Sequence, residues 1–327
     1  MPPLMAKAIA ENLHKAPFMA GVNKPTVIST FAGCGGSSLG YQMAGFKELL
    51  AVEWDDNAVA TFKLNFPDVP VYHGDIHDLT AEHCCELAGI QPGELDVFDG
   101  SPPCQGFSTA GKRKLTDPRN GLAFEFVRLL EGLRPKAFVM ENVTGLIKGA
   151  MKRTYLTITQ AMRDAGYKVK GQVLNAMYYG VPQSRERVIV VGVREDLGIE
   201  PGHPKPQTKA MAVGDAVPEL RGKRILSWRY KGGRDTLRPV GALPTGITRR
   251  GVPLEGRIGY MDPAGIKTLF SFPAGFQLGS GHQMKQLANS VPPLLMKAIA
   301  GHVCGLLEAT GEPFPEVAHV PRETAVA

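Results

Sequence analysis

From residue 26 onward, short apolar runs alternate with stretches in which apolar residues recur every three or four positions. Thr26–Phe31 is a β-rich run entering a glycine cluster, and Ser38–Gly45 reads as a helix ended by glycine. Leu49–Glu53 reads as a second strand, after which Asp55 can cap a helix through Asn65, with Pro67 beyond its stop. Val69–Tyr72 and Leu95–Phe98 have the pattern of buried strands. Leu122–Leu133 carries apolar residues at 122, 126, 129, 130 and 133, one face at helical spacing, and Pro135 ends it. Ala137–Met140 follows as a strand and Met151–Gly166 as a helix, and Val169–Leu174 with Arg187–Val193 closes the sheet as a hairpin-like pair. Strands interleaved with helices of about a dozen residues predict an α/β fold with a doubly wound, mainly parallel sheet.

The pattern then weakens. Residues 195–256 are rich in Gly, Pro, Arg and Lys, which predicts a second, smaller and irregular domain. Trp228, Tyr230, Leu237 and Leu243 can supply it with a small core, against the alternative of a long disordered insertion. The expected organisation is an N-terminal helix in 1–25, a main domain in 26–194, the small domain in 195–256, a return to the main domain in 257–309 and a loose Pro/Glu-rich tail in 310–327. Pro2-Pro3-Leu4-Met5-Ala6-Lys7-Ala8-Ile9-Ala10 matches Pro292–Ala300 at seven of nine positions, a similarity best explained by a duplicated or permuted gene end.

Composition narrows the classes. With 327 residues, 43% hydrophobic and 21% charged, the chain excludes wholesale disorder, collagen and coiled coil. No run approaches the roughly 18 apolar residues of a membrane span. Lys7, Glu11, His14 and Lys15 interrupt the start, so a secretory signal is not expected and the cytoplasm is. Five cysteines without a CxxC pair predict neither a disulfide framework nor a metal site. A net charge of +6 permits a polyanionic partner without demonstrating one.

The candidate chemistry lies at strand ends. Glycines in Phe31-Ala32-Gly33-Cys34-Gly35-Gly36 let backbone approach a ligand, and the helix that follows offers free N–H groups. No G-x-x-x-x-G-K-[ST] loop is present, which argues against an NTPase. Glu53 ends the second strand, where an acid can hold a ribose diol, and Trp54 can stack on adenine. Asp75 ends the next strand and can accept from an adenine amino group. In Asp99-Gly100-Ser101-Pro102-Pro103-Cys104-Gln105-Gly106-Phe107-Ser108, two prolines stiffen the chain before a cysteine placed as a nucleophile. Glu141 follows a buried strand, where burial would keep a proton available. Arg185 and Arg187 in Gln183-Ser184-Arg185-Glu186-Arg187 share a strand face, suited to phosphate or a carbonyl oxygen, or else to ion pairing with Glu186 or Glu141.

From Phe31 to about Val303 the chain strongly resembles the C5-cytosine DNA methyltransferase family. The matches are FAGCGG, EWD, GDI, SPPCQGFS, ENV, QSRER and QLANSVPP, in family order. The resemblance implies an S-adenosylmethionine-dependent enzyme of bacterial or phage type, with a Rossmann-like catalytic domain and a small target-recognition domain. It implies Phe31, Gly33 and Gly35 in the cofactor loop and Glu53 on the ribose. Trp54, Asp75, Ile76 and Leu122 would surround adenine, Asn289 and Ser290 would meet the methionine end, and Pro103 would sit near the transferred methyl. Cys104 would be the nucleophile, Glu141 its acid partner, and Arg185 and Arg187 the cytosine and backbone contacts. Lys112, Arg113 and Lys114 would hold phosphate as their loop closes, or form a solvated basic turn. Thr245, Thr248 and Arg249 are the candidates for groove contacts. The expected substrate is double-stranded DNA, with base flipping. A monomer is expected, associated with the nucleoid and without a membrane. The setting would be a phage or a restriction–modification system, with a cognate restriction endonuclease of the same specificity.

Two departures and three rivals belong beside this. Ser29-Thr30 stands where the family commonly has an Asp, and Ala288 replaces a common glycine. Only the C-terminal Pro-Pro-Leu copy keeps Asn289-Ser290 before its prolines, so it is the expected functional one. The tRNA-directed branch of the family typically carries Cys-Phe-Thr, which this sequence lacks. A non-catalytic DNA-binding relative would not need Cys104, Glu141, Arg185 and Arg187 intact. A nicotinamide-dependent oxidoreductase gives Pro-Pro-Cys-Gln no role.

Overall fold

The computed structural model describes residues 23–103, 121–216 and 263–315, together with 218, 224–225, 234–235, 240–241, 253–255 and 259–260. The N-terminal Pro-Pro-Leu copy lies outside them. Its centre is a sheet of seven strands: β1 (Thr26–Thr30), β2 (Lys47–Glu53), β3 (Val71–His73), β4 (Val97–Gly100), β5 (Ala137–Val143), β6 (Tyr167–Asn175) and β8 (Glu186–Arg194). They lie in the order β3-β2-β1-β4-β5-β8-β6. The first five run parallel, and β8 is antiparallel to both β5 and β6. The expected hairpin-like pair is β6–β8, with β8 on the inside. A two-residue strand, β7 (Gln183–Ser184), precedes β8.

The near-continuous apolar runs of the inner strands β1, β4, β5 and β8 serve two faces, as strands buried on both sides must. Ile28, Phe98, Phe138, Met140, Val188 and Val190 face one core, filled by helices α3 (Ala81–Ala88), α4 (Leu122–Leu133) and α5 (Met151–Asp164). Val27, Val97, Val139, Ile189 and Val191 alternate with them and face α1 (Gly36–Met43) and the C-terminal helix. Asp55 caps α2 (Asp56–Asn65), its carboxylate accepting from the amides of Asn57 at 3.0 Å and Ala58 at 3.1 Å. α4 has the bounds its periodicity predicts, whereas α1 starts two residues earlier than expected, directly after Gly35 at φ 93°. β4 starts later than Leu95 because Asp96 turns its carboxylate onto the Thr26 amide and hydroxyl, both at 2.8 Å.

Beyond the sheet, residues 201–216 lie along the main body. Tyr179 donates to the Pro204 carbonyl at 2.9 Å, and the Met211 amide donates to the Met177 carbonyl at 2.9 Å. A short helix, α6 (Val213–Ala216), follows. Four strands, β9 (Arg224–Ile225), β10 (Arg234–Asp235), β12 (Pro253–Glu255) and β13 (Gly259–Tyr260), form a separate antiparallel sheet, while β11 (Val240–Gly241) pairs with β7. The chain returns through α7 (Pro263–Leu269), α8 (Gln283–Asn289) and α9 (Pro293–Glu308). α9 lies on α1 where Gly36 and Gly40 leave room: a Cβ on Gly40 would stand 2.8 Å from the Pro293 carbonyl oxygen. Among the described residues, Gln283–Glu308 is long and apolar enough by composition to cross a membrane, yet most of it is buried in this core.

Candidate active site

The chemistry gathers at the carboxyl ends of β1, β2, β4 and β5. β1 leads into Phe31 at φ 55°, Gly33 at φ 57° and Gly35 at φ 93°, a left-handed sequence that glycine makes accessible at two of its three positions. The turn is tied to the end of β2. The Gly33 amide donates to Glu53 Oε2 at 2.7 Å, and the Trp54 and Asp55 amides donate to Oε1, each at 2.9 Å. Burial pushes the Glu53 carboxyl above the ordinary carboxylate range, and these three N–H groups oppose that rise. A Cβ on Gly33 would meet nothing within 4 Å, and the Trp54 indole beside this opening is 73% exposed.

Ile76 is buried in one core cluster, against which Phe31 and Leu122 pack partly buried. Asp75 is exposed two residues beyond β3 and accepts from the His77 amide at 3.0 Å, with the His77 ring nitrogen 2.7 Å away. The His77 amide, then its ring, hold the Asp75 carboxyl below its ordinary value. From the other side comes the α8–α9 junction. Ser290 is buried against Gly36 and donates to the Leu287 carbonyl at 2.7 Å, and Asn289 is exposed beside it. Cys34 lies 3.7 Å from the Gln286 carbonyl, and burial pushes its thiol up to about 12, which disfavours the thiolate.

At the end of β5, Glu141 is buried and its Oε1 stands 2.7 Å from Arg187 Nε. Because β8 is antiparallel, Arg187 at its start lies opposite Val143 at the end of β5. Asn142 donates to the Pro102 carbonyl at 3.1 Å, bracing Pro102 and Pro103 at the end of β4. Arg185 is fully buried and turns away from this pair. One of its terminal nitrogens donates to the carbonyls of Ala288 at 2.8 Å and Ser290 at 3.1 Å, with the Phe270 ring 5.2 Å from the guanidinium. Thus Arg187 has the ion pair and Arg185 clamps the α8–α9 junction. Cys104, Lys112, Arg113, Lys114, Thr245, Thr248 and Arg249 lie outside the described residues.

Two groups were not singled out from the sequence. Asn142 sat within a matched motif without a role, since a bond to a carbonyl forty residues away leaves no local trace. Asp99 is buried in β4, in register with Ser29 of β1, and accepts from the Tyr41 hydroxyl at 3.2 Å. A charged residue inside an apolar strand was the available signal. Among the described residues no cluster of three or more metal-ligating side chains occurs.

A doubly wound sheet with a glycine turn after its first strand and a fixed acid ending its second defines a class of nucleotide-cofactor-binding α/β proteins. Comparison with known proteins narrows that class. The C-5 cytosine-specific DNA methylase family matches residues 25–240, and the chain belongs to it. It is 37% identical to the Type II methyltransferase M1.HphI of Haemophilus parahaemolyticus over 322 residues, covering 84% of this chain and 85% of that one. It is 41% identical over 201 residues to the Type II methyltransferase M.XorII of Xanthomonas oryzae pv. oryzae, spanning 61% of this chain and only 47% of that relative. Among solved structures, a prophage-encoded DNA modification methyltransferase of E. coli superposes with a TM-score of 0.68 at 25% identity, over 87% of this chain and all of that one. Enzymes of this family use S-adenosylmethionine as methyl donor. The residues present fit it: the opening at Gly33, the immobilised Glu53 carboxylate and the exposed Trp54 indole suit a ribose and an adenine.

Proposed function

We propose that the protein is a DNA (cytosine-5-)-methyltransferase acting on a flipped cytosine within a short duplex site. The observation that carries this reading is the pairing of buried Glu141 with half-buried Arg187, 2.7 Å apart, next to the Asn142 amide that holds the Pro102 carbonyl two residues before Cys104. The Cys104 thiolate adds to C6 of the base, forming an S–C6 bond and making C5 nucleophilic. Glu141, hydrogen-bonded at N3, stabilises the charge that develops on the ring, and Arg187 supports O2. S-Adenosylmethionine, when bound against Phe31, Gly33, Gly35, Glu53, Trp54, Asp75, Ile76, Leu122 and Ser290, supplies an electrophilic methyl group. Loss of the C5 proton then expels the thiolate, breaking S–C6 and restoring the ring. A stacked cytosine cannot present C6 to Cys104, which is why the base leaves the helix.

Residues 195–256 supply sequence recognition in this reading, with Thr245, Thr248 and Arg249 toward the groove and Lys112, Arg113 and Lys114 on phosphate. The setting is modification of cytoplasmic, nucleoid-associated DNA by a monomer, in a phage or alongside an endonuclease of the same specificity. Bisulfite sequencing of host DNA from methylation-free cells tests it. The expected result is full protection at one short motif, lost in Cys104→Ala while cofactor binding by calorimetry is kept. Substantial methylation by the variant overturns the covalent mechanism. Absence of protected cytosines overturns the DNA substrate and turns attention to tRNA.

A further inference from the structure

The repeated Pro-Pro-Leu segment gains meaning from the contacts of its C-terminal copy. α9 buries Pro293, Leu295, Met296, Ala298, Ile299, Ala300, Val303 and Leu307. In the N-terminal copy the same positions are Pro3, Met5, Ala6, Ala8, Ile9, Ala10, Leu13 and Pro17, every one apolar. Gly301 and Gly305 are exposed on α9, and there the N-terminal copy has Glu11 and Lys15. The likeness therefore runs past the seven identical letters: apolar residues fall on the seat and charges on the solvent side, at helical spacing. The contact with Gly40 is also accommodated. Gly40 leaves room for the Met296 Cβ, which would stand 2.5 Å from a Cβ on Gly40, and Ala6, the N-terminal counterpart of Met296, places the same atom there.

Connectivity permits the exchange within one chain. The Asn23 side-chain amide donates to the Phe314 carbonyl at 3.0 Å, so the start of the described chain lies beside the exit from α9. The C-terminal chain covers the path from Leu306 to Phe314 in eight steps. A seated N-terminal copy would cover it from Ala16 to Asn23 in seven, and extended chain spans up to about 3.3–3.6 Å per residue.

We propose that the groove on α1 that seats α9 also accepts residues 3–16 of the same chain, whose sequence repeats the apolar pattern of α9, one occupant at a time. α9 holds the seat in the described arrangement, where Arg185 also grips the carbonyls of Ala288 and Ser290 just before it. The N-terminal copy takes it when α9 is absent or weakened. This inference does not depend on methyl transfer.

The test compares a chain ending at Val291, the same chain carrying Ile9→Asp, and the same chain lacking residues 1–17. Thermal unfolding, size-exclusion chromatography and amide hydrogen exchange are measured. The expected result is a cooperatively melting monomer for the first chain alone, with exchange in residues 3–16 slowed roughly tenfold or more relative to the full-length protein. In the full-length protein, Met296→Ala should move part of that protection from α9 to residues 3–16. Two outcomes overturn the proposal: no protection of residues 3–16 in both the truncated and the Met296→Ala chains, or protection confined to a dimer, which would make the exchange intermolecular.

Discussion

Glu48 stands among apolar neighbours in β2, with its Oε1 2.8 Å from the Ser38 hydroxyl at the start of α1. Burial pushes its carboxyl up to about 7, against the pull of the Ser29 and Ser38 hydroxyls. Burial also raises Asp99 well above the ordinary range, with Glu48 and Glu141 adding to the rise. The sign of the linkage follows. The unfolded Glu48 loses its proton near 4.5 and the folded one near 7, so between these values the native state binds more protons and stability falls as pH rises. Each unit of such a difference is worth about 1.4 kcal/mol. Melting temperatures recorded from pH 4.5 to 8 should decline for the wild type, and Glu48→Gln should flatten that decline; an unchanged slope removes Glu48 as its source. Glu53 gives a second test at this scale. Glu53→Gln places an amide NH2 against backbone N–H groups, so KM for the cofactor should rise about 10- to 100-fold with kcat little altered. Loss of kcat alone would assign Glu53 elsewhere. The Ser29 departure was legible in the sequence, but its neighbour was not. Strand register alone puts the Asp99 carboxylate beside Ser29, returning an acid to that part of the sheet from the next strand.

Elements were legible in proportion to their periodicity. α4 shows its apolar face in five letters and its stop in Pro135, and its bounds agree with the structure. α1 is Gly-Ser-rich, and what makes it a helix is its seat against α9 rather than any local preference. The two- and three-residue strands between 224 and 260 are too short for a period to register. Glycines within helices give a paired prediction of opposite sign. Gly40→Ala drives a methyl into Met296 and the Pro293 carbonyl and should cost about 1–3 kcal/mol. Gly305→Ala in exposed α9 meets nothing within 4 Å and should stabilise by about 0.5–1 kcal/mol. Urea unfolding of both variants checks the pair, and equal signs would mean that the α1–α9 contact is looser than the geometry requires.

At the scale of the molecule, the alternation of apolar runs and helical periods was enough for a doubly wound sheet, because the inner strands are buried on both faces. The order of the strands was not available from the pattern, since ladder neighbours are chosen by contacts far apart in sequence. Candidate site residues at the ends of β1, β2, β4 and β5 follow from that class of fold. Arg187 is the exception, reached at the start of a strand because β8 alone runs backward. Its place in the sheet also bears on assembly, because β8 lies between two strands that precede it in the chain. β6 emerges from the ribosome before β8, at a time when the outer edge of β5 is still open to it. Pairing of β6 with β5 at that stage would close the place that β8 must occupy. Only the entry of β8 between β5 and β6 completes the sheet, and that entry brings Arg187 to Glu141.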